Sequence, residues 1–149
     1  MARLGGTASA EIEAPLDRVW AEVEDVLAAP EWQGGLVSIT PLEHDAEGRP
    51  TLVESESDLK VRHVTTQVRF SYDPPTRLSW VQEKGDLKSV EGAWILEDLG
   101  DGRTRATYTL DADPGRVLGM LIRGPVEGAA KAALVNSRPG ELKKRVEGV

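Results

Sequence analysis

A chain of 149 residues with 40% hydrophobic and 29% charged side chains has the size and composition of one globular domain able to bury a core. Its net charge of −7 argues against non-specific nucleic-acid binding, which needs a basic surface to displace counterions. It holds no cysteine, which excludes disulfides, thiol catalysis and thiolate metal sites, and no apolar run approaches the ~20 residues of a membrane helix.

The opening residues MARLGGTASAEIE lack the apolar stretch of a secretory signal, so a cytoplasmic protein is expected. TASAEIE alternates weakly and reads as a first strand. APLDRVWAEVEDVLAAPEW, residues 14 to 32, reads as a short amphipathic helix. Pro15 suits its first position, where a missing N–H costs nothing, and Asp17 suits the positive end of the helix dipole. Val19, Trp20, Val23, Val26 and Leu27 share its apolar face. Ala28-Ala29-Pro30 ends it, because the residue before a proline avoids the α region. Trp32 then opens a second short helical turn, which Gly34-Gly35 stops.

Strands and turns follow. LVSITPLEH leads into the turn DAEGR, and TLVESES into a longer strand from about Leu59 to Tyr72. Asp73-Pro74-Pro75 forces a reversal into RLSWVQE, which ends at Lys84-Gly85-Asp86. LKSVEGAWILED meets the hairpin signal Gly100-Asp101-Gly102, and TRATYTLDAD completes seven strands in an antiparallel meander.

The period then changes. VLGMLIRGPVEGAAKAALVN carries a broad apolar helical face interrupted at Gly124-Pro125, and SRPGELKKRVEG restarts with Ser137 as N-cap. A long C-terminal helix with a break at Asn136 to Gly140 is expected, preceded by a loop or separate turn whose glycines suit an entrance gate. From Gly115 onward seven Lys and Arg face three Glu, a net of +4, so the preceding 114 residues carry −11. The basic end reads either as a solvated helix face or as a contact for an anionic partner or membrane surface.

A twisted antiparallel sheet has one face that must be covered, and a long helix covers it. The short helical insert braces one end and leaves space between sheet and helix for a ligand. With APLDRVW at 14 to 20, PEW at 30 to 32, EGAWILEDLGDGRTRATYTLDADPG at 91 to 115 and LKKRVEG at 142 to 148 in this order, the chain resembles the START/Bet v 1-like (SRPBCC) superfamily. Within it the chain looks most like the bacterial polyketide cyclase/dehydrase and lipid-transport group. The resemblance implies an α+β helix-grip fold over residues 1–149. In that fold a seven-stranded curved antiparallel sheet wraps around a long C-terminal helix, with two short helices after strand one. It also implies a cavity for a hydrophobic or amphipathic small molecule, but no particular reaction.

Strand alternation selects the cavity wall. Leu78, Trp80 and Gln82 share a face, as do Val90, Gly92, Trp94 and Leu96, and Ala106, Tyr108 and Leu110. The alternates, among them Lys88, Glu91, Arg105 and Asp111, prefer water. Val64, Thr66, Val68, Phe70 and Tyr72 form the more apolar set of the fourth strand, with Val53 and Ser55 from the third. The C-terminal segment closes the other wall with Leu118, Leu121, Ile122, Val126 and Ala130. The candidate ligand-binding set is therefore Val53, Val64, Phe70, Trp80, Gln82, Trp94, Tyr108, Leu110, Leu118, Leu121, Ile122 and Val126. Trp80 and Trp94 read either as core or as pocket wall, and the small Gly92 beside Trp94 suits a pocket. Gln82 and Tyr108 read either as internally paired groups or as the few polar atoms that orient a ligand.

Catalytic signatures are missing. His44 sits beside a turn and His63 on a strand without a second ligand, so neither a metal site nor a cofactor is expected. No G-x-S-x-G elbow, H-E-x-x-H helix or P-loop occurs. Arg69, Gln82, Tyr108 and Arg123 are the residues a cyclase-like reaction would draw on. The leading expectation is a monomeric binder, transporter or presenter of a lipid, isoprenoid quinone or polyketide. A polyketide cyclase, aromatase or dehydrase is the alternative. A toxin-like or quinone-chaperone-like interaction module, working through Lys143, Lys144 and Arg145, is the third reading.

Overall fold

The computed structural model describes residues 4–59, 62–122 and 125–148. Seven strands form one antiparallel sheet: β1 (Leu4–Ile12), β2 (Leu36–His44), β3 (Pro50–Asp58), β4 (His63–Asp73), β5 (Arg77–Gly85), β6 (Ser89–Gly100) and β7 (Arg103–Asp113). Their spatial order is β1-β7-β6-β5-β4-β3-β2. The meander expected from the turns is therefore what forms, and β1 adds itself beside β7. β2 is an edge strand, which is why it tolerates Pro41 and register shifts on either side of Glu43. At the β6–β7 hairpin Gly100, Asp101 and Gly102 all hold positive φ (82°, 55° and 72°). Asp98 Oδ1 accepts the Gly100 N–H at 2.9 Å and fixes that turn.

After β1 the chain forms α1 (Leu16–Glu24) and a 3₁₀ helix (Val26–Glu31) that contains Pro30. The insert is thus two short helices divided at Asp25, and Trp32 caps the second instead of opening another turn. The apolar face is as expected: Val19, Trp20 and Val23 of α1, with Val26 and Ala29 of the 3₁₀ helix, are buried.

At the far end come α2 (Gly115–Leu121), α3 (Pro125–Lys131), a π-helical turn (Ala132–Asn136) and α4 (Arg138–Glu147). The break in the long helical run falls at Ser137, within the expected Asn136 to Gly140, and the distortion begins earlier, at Ala132. Pro139 has no N–H to give the carbonyl four residues back, so regular α hydrogen bonding cannot run through it. The Ser137 N–H instead reaches Ala132 O at 3.0 Å, one residue wider than an α bond. Ser137 stands at the N-cap of α4 without a side-chain capping bond. Gly148, at φ 75°, closes α4 by donating its N–H to Lys144 O at 2.9 Å.

The coverage of the sheet is uneven, and this positions the site. α4 packs on β1, β7 and α1, while α3 lies on β1 and the π turn on β1 and β7. α1 meets β6 and β7, and the 3₁₀ helix meets the opposite edge at β2. Helices therefore cover the two sides of the concave face, and the strip over β3, β4 and β5 is left to side chains and space. Among the described residues no helix is long and apolar enough to cross a membrane.

Candidate functional site

The uncovered strip holds a cavity with about 140 Å³ open to the centre of a water molecule. Its wall is mostly apolar and draws on all seven strands, β1 contributing only Leu4. Val53 comes from β3, Val64, Thr66, Val68 and Phe70 from β4, Leu78 and Trp80 from β5, Trp94 from β6, and Tyr108 and Leu110 from β7. Period-two alternation puts these residues on one face, and the register then brings their side chains side by side. Phe70 pairs with Trp80, Trp80 with Gly92, Leu78 with Trp94, and Trp94 with Tyr108.

That register builds a continuous row of rings. Phe70 and Trp80 have centroids 6.0 Å apart, Trp80 and Tyr108 5.6 Å, Trp94 and Tyr108 4.8 Å, and Trp32 and Trp94 6.3 Å. All are tilted or edge-on, the arrangements that the ring quadrupole favours. The ring that lies over Gly92 is Trp80 of the neighbouring strand, not Trp94 of its own. A Cβ at Gly92 would stand 2.6 Å from Trp80 Cζ2.

The cavity has two different ends. Leu4, Leu59, Val64, Leu87, Val90 and Ala112 make an aliphatic end. Trp32, Trp94, Tyr108 and Arg138 make an aromatic and polar end. Arg138 is the group that sequence reading missed, because a charged residue on an amphipathic helix normally faces water. Here it is 3% exposed. Its Nη1 donates to Gly34 O and to Glu141 Oε1, each at 2.9 Å, and Glu141 Oε2 accepts the Gly34 N–H at 2.8 Å. One residue pair on α4 thus satisfies both polar groups of Gly34 and fastens the segment after Trp32 to the helix. The guanidinium lies over the Tyr108 ring, 5.7 Å from its centroid. Burial pushes the Tyr108 hydroxyl above its ordinary pKa, with Arg138 pulling the other way, so at neutral pH it is a protonated donor.

Seven of the twelve candidate residues line this cavity: Val53, Val64, Phe70, Trp80, Trp94, Tyr108 and Leu110. Gln82 does not line it, because its side chain turns along the strand and donates Nε2 to Leu87 O at 2.9 Å. Leu118 and Ile122 are buried one layer further out, in a cluster with Leu4, Leu59, Val64, Ala112 and Ala130. Leu121 is 53% exposed, because α2 presents it outward with Val117 and Met120. Val126 falls in α3, but its side chain lies outside the described residues, as does Arg123 altogether. Arg69 stands on the outer face, between Glu83 and Glu43. His63 points away from the cavity and hydrogen-bonds Glu56 at 2.6 Å. The residues that pattern reading did not supply include Trp32 at the end of the 3₁₀ helix, Leu36 and Ile39 of the edge strand β2, and Arg138 of α4.

Compared with solved structures, the chain is similar to a START superfamily protein from Mycobacterium smegmatis (18% identity, 97% of each chain, TM-score 0.81). It is also similar to a protein from Thermus thermophilus (20%, 97% of each chain, 0.80). A third likeness is to the Zhui aromatase/cyclase of Streptomyces sp. R1128 (20%, 97% of this chain and 96% of that one, 0.73). These likenesses show the helix-grip fold. No curated protein sequence matches the chain. The model of the polyketide cyclase/dehydrase and lipid transport family matches residues 4–147, and the chain belongs to that family.

Proposed function

We propose that this protein binds a hydrophobic small molecule in the cavity between sheet and helices, and carries or presents it. Membership of the family implies either hydrophobic-ligand binding or polyketide cyclase activity. The observation that carries the binding reading is the row of rings from Phe70 to Trp32, which walls a cavity with few polar groups. Apolar pockets with a small number of placed polar atoms are the usual form of a small-molecule site. A lipid, an isoprenoid quinone and a polyketide all suit such a wall.

The cyclase reading keeps one specific support, Tyr108 beside Arg138 at one end of the cavity. Tyr108→Phe with an intact fold would change the product profile of a cyclase and leave a carrier loaded as before. The interaction reading loses much of its basis. Lys143 pairs with Glu147 at 2.7 Å, and Arg145 with Glu22 and Glu31 at 2.8 and 3.0 Å, so two of its three cations are committed within the chain.

The test is mass spectrometry of protein purified gently from its own host, first native, then denatured. A stoichiometric apolar molecule released on denaturation is the expected result. An empty protein that also takes up no apolar probe would overturn the reading.

A further inference from the structure

We infer that residues 26–34 form a flap that lifts to let a ligand into and out of the cavity, and that Arg138 and Glu141 of α4 hold it shut. As a ligand gate it rests on the reading of the cavity as a ligand site. The flap begins at Asp25, whose backbone (φ −81°, ψ 71°) divides α1 from the 3₁₀ helix. It ends at Gly34-Gly35, where Gly35 takes φ 82°, a conformation that favours glycine. The Asp58 N–H bonds the Gly35 carbonyl at 2.7 Å and anchors that end on β3. Between these two points Val26, Ala29, Trp32 and Gln33 all line the cavity. A short stretch between two backbone breaks, packed over space, is the kind of segment that opens locally.

Little fastens it. Among the described residues, and apart from turns closed at Asp25 and Leu36, its hydrogen bonds to the rest of the chain run to α4. Arg145 Nη2 reaches Glu31 at 3.0 Å, but the Glu31 side chain is 62% exposed, and such pairs hold little. Gly34 makes the firmer attachment. Its N–H donates to Glu141 Oε2 at 2.8 Å, its carbonyl accepts from Arg138 Nη1 at 2.9 Å, and Arg138 donates to Glu141 Oε1 at 2.9 Å. These three bonds form a closed clasp, charge-assisted and built on a buried guanidinium. Closure also leaves two donors unmet. Trp32 Nε1 and Arg138 Nε are sealed from water and have no partner among the described residues. Lifting the flap lets water reach them, so opening recovers hydrogen bonds that closure forfeits, and the clasp holds the flap against that pull.

The test first measures opening without a ligand. Water reaches the Trp32 indole N–H only when the flap lifts, so its hydrogen exchange, followed by NMR and assigned with Trp32→Phe, reports opening. Its protection is expected to be at least about tenfold lower than that of the β6 and β7 amides, and about tenfold lower again in Glu141→Gln. Glu141 does not line the cavity, so this variant weakens the clasp and spares the wall. Stopped-flow mixing with 2-acetylnaphthalene as an apolar probe, read by tryptophan fluorescence, then tests the gate. Glu141→Gln should raise the association and dissociation rates together by about tenfold and leave Kd within about threefold, because the clasp is the same in empty and loaded protein. Glu147→Gln, which loosens α4 from β1 instead of from Gly34, should lower the melting temperature and leave both rates unchanged. Indole protection equal to that of β6 and β7 would overturn the flap, and this comparison needs only the parent chain. Protection unmoved in Glu141→Gln would overturn the clasp. Unmoved rates, a Kd weakened through dissociation alone, or an equal acceleration in Glu147→Gln would overturn the gate. Failure of the probe to bind, with the indole still exchanging ahead of the sheet, would overturn the cavity reading and the gate with it, and leave the flap standing.

Discussion

Gly92 shows how one residue sets the width of the cavity. It sits opposite Trp80 across β5 and β6, and a methyl group there would meet Trp80 Cζ2 at 2.6 Å and Thr109 O at 2.7 Å. The ring would have to lift into the cavity, and the Thr109 carbonyl, being backbone, could be relieved only by a shift of the strands. Gly92→Ala is expected to cost about 1–3 kcal/mol in urea unfolding and to shift Trp80 fluorescence. Tyr108 makes a different prediction, in alkali. The chain has two tyrosines, and burial pushes both hydroxyls above their ordinary pKa. Above about pH 10 the unfolded chain releases these protons while the folded chain holds them, so stability falls as pH rises. The melting temperature should be insensitive to Tyr ionisation below that pH. Above it, Tyr108→Phe should decline less steeply than the parent, and phenolate absorbance should appear only with unfolding. Absorbance rising at pH 10 in folded protein would contradict the burial of both hydroxyls.

At the scale of elements, α4 is held to β1 by the same kind of contact that holds it to the Trp32 segment. Glu147 Oε2 accepts from Lys143 Nζ at 2.7 Å and from the Glu13 N–H at 2.9 Å. Those two bonds lower its pKa below the ordinary 4.5. A depressed carboxylate contributes stability that is present above its unfolded pKa and lost as pH falls through the folded one. Melting temperature should therefore drop below about pH 4.5, and Glu147→Gln should begin lower at pH 7 and fall less on acidification. Equal acid slopes would assign the drop to other carboxylates. This element also marks a limit of sequence reading. Pro139 announced a break, and the break formed, but the proline acts on the carbonyl four residues earlier, so the distortion spreads back to Ala132. The burial of Arg138 had no local sign at all. It follows from Gly34, more than a hundred residues away, needing both a donor and an acceptor.

Over the whole molecule, the strands and the inward face were legible because each is written in a local period. Val53, Phe70, Trp80, Trp94 and Tyr108 fall on the cavity side for the same reason that they alternate with polar residues. Which part of that face stays uncovered was not legible. It depends on where the helices come to rest, over β1 and β7 on one side and β2 on the other. Leu118, Leu121 and Ile122 show the consequence, since α2 keeps its own apolar residues for a neighbouring cluster and for the outside. If the uncovered strip is space reserved for a ligand, filling it should raise stability and lower binding together. Ser57 lines the cavity, and Ser57→Leu puts a branched apolar side chain there. The empty variant is expected to gain about 1 kcal/mol, or roughly 2–4 °C in melting temperature, from added apolar burial. The parent with 2-acetylnaphthalene at about a hundred times its Kd should gain about 2.7 kcal/mol by mass action, and the variant much less. A variant that loses stability and keeps its ligand response would mean that Ser57 stands in packed core, and that the space the ligand uses lies elsewhere along the strip.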